Sequence, residues 1–195
     1  MIAPRRPRIV LGVAGASGAA LGLSVARQLS ALGAEIDLVT SRPAQRTLTA
    51  ECGPEAYKQL KSYASKVHPI DDIGASIASG SVPVAGMIIA PCSMRSLAAI
   101  SHGLDDNLLT RAAGVQLKER RKLILLARET PLTLAHLHNM TAATEMGAII
   151  LPPVPAFYLL PKSVSEITDQ IAARAIDLLG IANPVATRWG GAPDE

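Results

Sequence analysis

Short apolar runs alternate with amphipathic segments along most of this chain. Residues 9–14 (IVLGVA) form an unbroken apolar run of strand length, and residues 19–32 carry apolar positions at helical spacing that ends at Gly33. The same pattern predicts strands at 36–40, 84–90, 123–127 and 148–151. It predicts helices at 43–63 (broken near Gly53-Pro54), 93–102, 107–118, 133–146 and 164–179. Pro91 lacks an amide hydrogen for a ladder and is read as the end of the strand at 84–90.

Strands that are apolar throughout need cover on both faces. Alternating with helices, they imply an α/β architecture in which a parallel sheet is the middle of three layers. With 195 residues the chain has room for one such domain. The reading divides it into a flexible N-terminus at 1–7, one domain at 8–181 and a tail without regular structure at 182–195. Ligands of such sheets bind beyond the carboxyl ends of the strands. The chemistry is therefore expected at 15–18, 41–43, 91–96 and 128–131.

Composition narrows the function. Aromatic residues make up only 3%, so the core is built from small aliphatics and few rings remain to stack bases of a nucleic acid. A net charge of +3 suits a small anion better than a polyanion. Two separate cysteines, Cys52 and Cys92, fit neither a disulfide framework nor a zinc spacing, which points to a reducing cytoplasm and no metal. Arg5, Arg6 and Arg8 before the first apolar run mimic a secretion signal, but the run is short and enters a glycine turn. No stretch approaches the ~18 apolar residues of a membrane span.

Gly12, Gly15 and Gly18 lie between the first strand and the first helix. They permit a tight turn and close backbone approach, and the helix behind them offers amide hydrogens and a positive dipole end to an anion. Ser17 adds a hydroxyl. The glycine spacing also fits a dinucleotide-binding dehydrogenase, with Tyr57 and Lys61 as a Tyr-x-x-x-Lys pair. That pair stands too close to the glycines, however, and Ser41-Arg42 replaces the acidic ribose ligand expected after the second strand. Ser93 is placed to cap the next helix, and Cys92 beside it reads as a small packed residue, because no histidine stands at a spacing that would activate it. Arg128-Glu129 follows a buried strand, where Arg128 suits phosphate and Glu129 suits general acid–base work. Arg174 borders an apolar stripe of Val164, Ile167, Ile171, Ala175 and Leu178. Arg111 and Lys118, seven residues apart, face a ligand or a neighbouring subunit.

Six segments in order resemble the UbiX-like flavin prenyltransferases over about residues 8–181. They are Gly15-Ala16-Ser17-Gly18-Ala19, Pro91-Cys92-Ser93-Met94, Asp106-Asn107-Leu108-Leu109-Thr110-Arg111-Ala112, Leu117-Lys118-Glu119-Arg120-Arg121, Arg128-Glu129-Thr130-Pro131-Leu132 and Pro155-Ala156-Phe157-Tyr158. The resemblance implies a Rossmann-like (flavodoxin-like) fold and a dodecamer built from trimers, with sites at subunit junctions. It implies FMN bound through Gly15, Ala16, Ser17, Ser41, Ser93, Met94, Arg95, Ser96 and Arg128. A dimethylallyl phosphate donor would be held by Lys118, Arg128, Glu129, Tyr158 and Arg174, with Arg111 as a further cation. Some of these residues would come from neighbouring chains. Glu129 and Ser17 would manage protons while the allyl group passes to reduced FMN, and a UbiD-like decarboxylase would use the prenylated product. A flavin-dependent cysteine decarboxylase shares the implied fold, but its Pro-x-Met-Asn motif is missing here, although His136 and His138 exist. A flavin carrier without catalysis is the third reading.

Overall fold

The computed structural model describes residues 6–190. The expectations for residues 1–5 and 191–195 therefore lie outside the described part. Six strands form one parallel sheet: β1 (Arg8–Val13), β2 (Glu35–Thr40), β3 (Lys66–His68), β4 (Gly86–Cys92), β5 (Lys122–Ala127) and β6 (Ile149–Ile150). Their spatial order is β3-β2-β1-β4-β5-β6, the doubly wound Rossmann arrangement, which reverses direction between β1 and β4. Seven helices connect them: α1 (Ala19–Ala31), α2 (Arg42–Cys52), α3 (Ala56–Ser62), α4 (Met94–Ser101), α5 (Leu108–Lys118), α6 (Leu134–Glu145) and α7 (Val164–Leu179).

The two faces of the sheet build two cores, as the period-two geometry of a strand requires. Ile9, Leu11 and Val13 of β1 pack with Leu21, Val25 and Leu29 of α1 and with Ile171 and Ile176 of α7. Val10 points the other way, toward Met87, Ile89, Leu97 of α4 and Leu109 of α5. The low aromatic content is thus met by interlocked aliphatic side chains.

Several expectations are corrected. Pro91 lies inside β4, where the register to β5 shifts between Ile89 and Cys92, so an irregularity in the ladder accommodates the residue that lacks an amide hydrogen. Gly12 is a strand residue, not part of the loop. The helical segment at 43–63 breaks near Gly53-Pro54 as expected, into α2 and α3, but an unforeseen short strand, β3, follows them at the sheet edge. In α7 the buried positions are Ile171, Ala172, Ala173, Ala175, Ile176 and Leu179, whereas Val164 is exposed. The described part of the tail lacks regular structure but runs along α7. Asp177 accepts from the Val185 amide at 2.7 Å, and Gln170 exchanges two hydrogen bonds with Thr187.

An ionic network is buried in this sheet. Asp37 of β2 is 2% exposed and meets the Arg8 guanidinium at 2.5 Å and the His68 ring at 2.7 Å. Burial opposes the Asp37 charge, but the hydrogen bonds from Arg8 and His68 outweigh it and hold the carboxyl below its ordinary range.

Candidate functional site

At the carboxyl edge of the sheet, four strand ends are laced together by three backbone hydrogen bonds. The Ser41 amide donates to Val13, the Ala14 amide to Pro91 and the Arg128 amide to Cys92, at 2.9, 3.1 and 3.1 Å. Residues from four distant stretches of sequence therefore share one rim at the point where strand order reverses.

A cleft of about 620 Å³ opens there, lined by Gly15, Ser41, Ser93, Arg95, Ser96 and Asn107, among others. Its size falls within the range of small-molecule sites. Gly15 is required by close approach, since a Cβ there would stand 2.4 Å from the Pro43 Cβ. Ser93 caps α4 by accepting from the Ser96 amide, as the sequence suggests. The Ser41 Oγ is buried without a hydrogen-bond partner. A buried hydroxyl left unpaired is costly, and a ligand oxygen in the cleft would satisfy it. Hydroxyls, a close-packed glycine and nearby cations suit a phosphorylated ligand of FMN size. Met94 is half-buried at the start of α4 and packs against the core behind the cleft.

The glycine loop differs from expectation. Gly18 adopts φ 102° at the start of α1. Its amide and that of Ala19 both donate, at 2.8 Å, to the carboxylate of Glu51 on α2. The anion at this helix terminus is the protein's own. Partial burial works against the Glu51 charge, but hydrogen bonds from the Ser17 hydroxyl and the Ala19 and Gly18 amides, with the nearby Arg128 cation, hold its carboxyl below the usual range. Ser17, Glu51 and Arg128 thus form one charged cluster beside Ala16. Sequence reasoning missed Glu51. Thr47, four residues earlier on the same helix face, donates to the Gly15 carbonyl at 3.1 Å and so helps seat α2 over the loop.

Glu129 is exposed next to Arg128, and one of its carboxylate oxygens accepts from the Thr130 amide at 3.0 Å. Cys92 is fully buried, and burial pushes its thiol up to about 12, which fits a packed residue rather than a nucleophile.

The expected phosphate ligands are not gathered by one chain. Tyr158 and Arg174 share a second cleft of about 530 Å³ with Ile171, Gln170 and Trp189. Trp189, which the sequence reading did not single out, sits edge-on to Tyr158 with ring centroids 5.1 Å apart. Lys118 ends α5, next to the start of β5, and pairs with Glu119 at 2.5 Å. Arg128 follows the other end of that six-residue strand, roughly 20 Å away along the sheet. Arg111 is held by Asp105 at 2.8 Å.

The chain matches the Flavoprotein family over residues 3–176. It is 50% identical to a flavin prenyltransferase UbiX of Thauera aromatica, over 94% of this chain and 94% of that protein. A crystal structure of AnUbiX (PadA1) in complex with FMN and dimethylallyl pyrophosphate superposes with a TM-score of 0.93 at 44% identity, covering 97% of this chain and 100% of that one. A dodecameric FMN-dependent UbiX-like decarboxylase from Escherichia coli O157:H7 superposes with a TM-score of 0.90 at 42% identity, covering 94% and 100%. With identity near one half from end to end and the same fold throughout, this chain belongs to the UbiX flavin prenyltransferases of the Flavoprotein family.

Proposed function

We propose that this protein transfers a dimethylallyl group from dimethylallyl phosphate to N5 and C6 of reduced FMN, releasing phosphate and yielding prenylated FMN for a UbiD-like decarboxylase. The observation that carries this reading is the cleft of Gly15, Ser41, Ser93, Arg95 and Ser96, found in a chain half identical to a flavin prenyltransferase. The unpaired Ser41 Oγ and the close Gly15–Pro43 approach support FMN as the occupant.

Reduced FMN, bound there, supplies the nucleophilic N5 and the C6 that accept the allyl group. The residues of the chain handle the donor. Its allylic C–O bond breaks with the electron pair leaving on a phosphate that carries about −1.5 to −2 charges. Arg128 neutralises that charge from the end of β5, and no metal is required. Tyr158 and Arg174 grip the same phosphate from the second cleft. Lys118 faces away from the cleft of its own chain, so we assign it, with Arg111, to the phosphate pocket of a neighbouring protomer. Ser17 and Glu129 take the protons displaced at the flavin, with the Glu51 carboxylate close beside Ser17.

A trimer-based dodecamer is the assembly we assign. In α6, Ala143 is buried while Leu134 and Leu137 stay 67% and 46% exposed, a face suited to another copy. The compartment we assign is the cytoplasm, supported by Cys52 and Cys92 both being free. Among the described residues, no helix is long and apolar enough to cross a membrane.

Anoxic incubation with reduced FMN and dimethylallyl phosphate tests the reading. The expected product is flavin heavier by one dimethylallyl unit, with phosphate released in equal amount. The Glu129→Gln variant should bind FMN with unchanged affinity and slow the transfer at least about a hundredfold. Retained FMN without any mass gain in the native protein would instead indicate a flavin carrier, and turnover of a cysteine substrate would indicate a cysteine decarboxylase.

A further inference from the structure

The flavin cleft has two walls of opposite charge. On one side stand the first turns of α2 and α4, which carry Arg42 and Arg95. On the other side, the loop after β3 carries Asp71 and the loop before α5 carries Asp106. These two loops act as one wall, because the Leu108 amide donates to the Ile70 carbonyl at 2.8 Å.

Each arginine crosses the mouth to the aspartate opposite. One guanidinium nitrogen of Arg42 lies 2.9 Å from both carboxylate oxygens of Asp71. Arg95 reaches both oxygens of Asp106, with Nη1 3.3 Å from Oδ1. Asp106 is braced from behind by Asn107 at 2.8 Å and Thr110 at 3.3 Å. The floor beneath is buried at Ser96, Leu109 and the Ser41 Oγ. The bridging side chains are exposed, Arg42 and Asp71 at 77% and 69%, Arg95 and Asp106 at 61% and 48%.

In the function proposed above, on which this inference rests, flavin is consumed and replaced at every turnover. Its cleft must therefore open in each cycle. Exposed ion pairs contribute little to fold stability and exchange readily with water, which suits a closure that has to yield repeatedly. We propose that Arg42–Asp71 and Arg95–Asp106 are electrostatic latches across the mouth of the cleft that set how fast flavin enters and leaves. Salt weakens exposed pairs, so exchange should also depend on ionic strength.

The test is stopped-flow fluorescence of FMN and riboflavin binding to the full oligomeric protein. Asp71→Asn should raise association and dissociation rates of both flavins roughly threefold to fivefold, with little change in affinity. The charge swap Arg42→Asp with Asp71→Arg should return both rates to within about twofold of the native protein. Added salt should speed exchange in the native protein and have less effect on Asp71→Asn. Riboflavin lacks phosphate, so a change confined to FMN would mean simple relief of Asp71–phosphate repulsion and would overturn the latch. Unchanged rates, or a swap as fast as the single variant, would overturn it too. Transfer to FMN with unchanged exchange rates defeats the latch alone, whereas flavin exchange without any transfer defeats the proposed function alone.

Discussion

Glu51 of α2 closes the Gly18 amide at the start of α1, its Oε2 accepting from the Gly18 and Ala19 amides at 2.8 Å each, beside the exposed Ser17. One carboxylate thereby caps a helix and sets a negative charge beside a candidate proton carrier. Arg128 adds its field from the end of β5. The cap and the charge are separable functions of the same side chain.

Substitution can separate them. Glu51→Gln keeps an acceptor oxygen for the amides but removes the charge that faces Ser17 and Arg128. It should preserve thermal stability to within about 1 kcal/mol and slow prenyl transfer by about a hundredfold. Glu51→Ala should lose the cap as well, costing a further ~1 kcal/mol, read as a fall in Tm. Activities of both variants that track only their melting temperatures would show that Glu51 is structural alone.

Gly15→Ala tests the cleft geometry. The added methyl would stand 2.4 Å from the Pro43 Cβ and 3.2 Å from its carbonyl carbon, so the start of α2 must shift and Ser41 with it. FMN affinity should fall at least about tenfold, which corresponds to ~1.4 kcal/mol. Circular dichroism should remain native. Calorimetric titration giving the native affinity would mean that Gly15 and Ser41 do not shape the flavin site.

The sequence made β1, β4 and β5 legible because each carries a run of apolar residues, and the helices legible because their polar faces repeat. It hid β3, since Lys66-Val67-His68 is three residues long with a polar residue at either end, and only its pairing to β2 makes it a strand. Glu51 was hidden for a different reason. It lies 33 residues from Gly18, and nothing local marks it until α2 folds over the loop. The separation of Lys118 from Arg128 was readable in principle. A crossover helix returns the chain to the amino edge of a parallel sheet, so its last residue cannot share a site with the carboxyl end of the next strand. Trp189 escaped because the tail has no periodicity, and its place follows from hydrogen bonds to Gln170 and Asp177 further back.

Acid should expose the Asp37 network. Its folded carboxyl titrates below the ordinary value, so the carboxylate contributes stability that is fully present above the unfolded pKa and is lost as pH falls through the folded one. That window opens below about pH 4. Asp37→Asn should cost about 3 kcal/mol at neutral pH, because Arg8 loses its counter-charge and only one oxygen remains to accept where two served Arg8 and buried His68, and it should flatten the acid dependence of stability. Urea unfolding of both proteins at neutral and acid pH checks this. Parallel acid profiles for native and variant would remove Asp37 as the source.

Arg174 and Trp189 line one cleft, and that proximity provides a direct readout of donor binding. Trp189 is the single tryptophan of the chain and stands edge-on to Tyr158, so its emission reports on the surroundings of that ring. If the donor phosphate binds between Tyr158 and Arg174, dimethylallyl phosphate should change the emission in a saturable way before any flavin is added. Arg174→Ala removes a charge-assisted donor and should weaken dimethylallyl phosphate binding by about tenfold to a hundredfold. With FMN in the cleft of Gly15 and Ser41 as proposed, its affinity should stay within about twofold, less than RT of free energy. The asymmetry distinguishes a phosphate ligand from a structural arginine, whose loss would disturb both sites through α7. Equal weakening of both ligands would place Arg174 outside donor recognition and leave the second cleft without its assigned role.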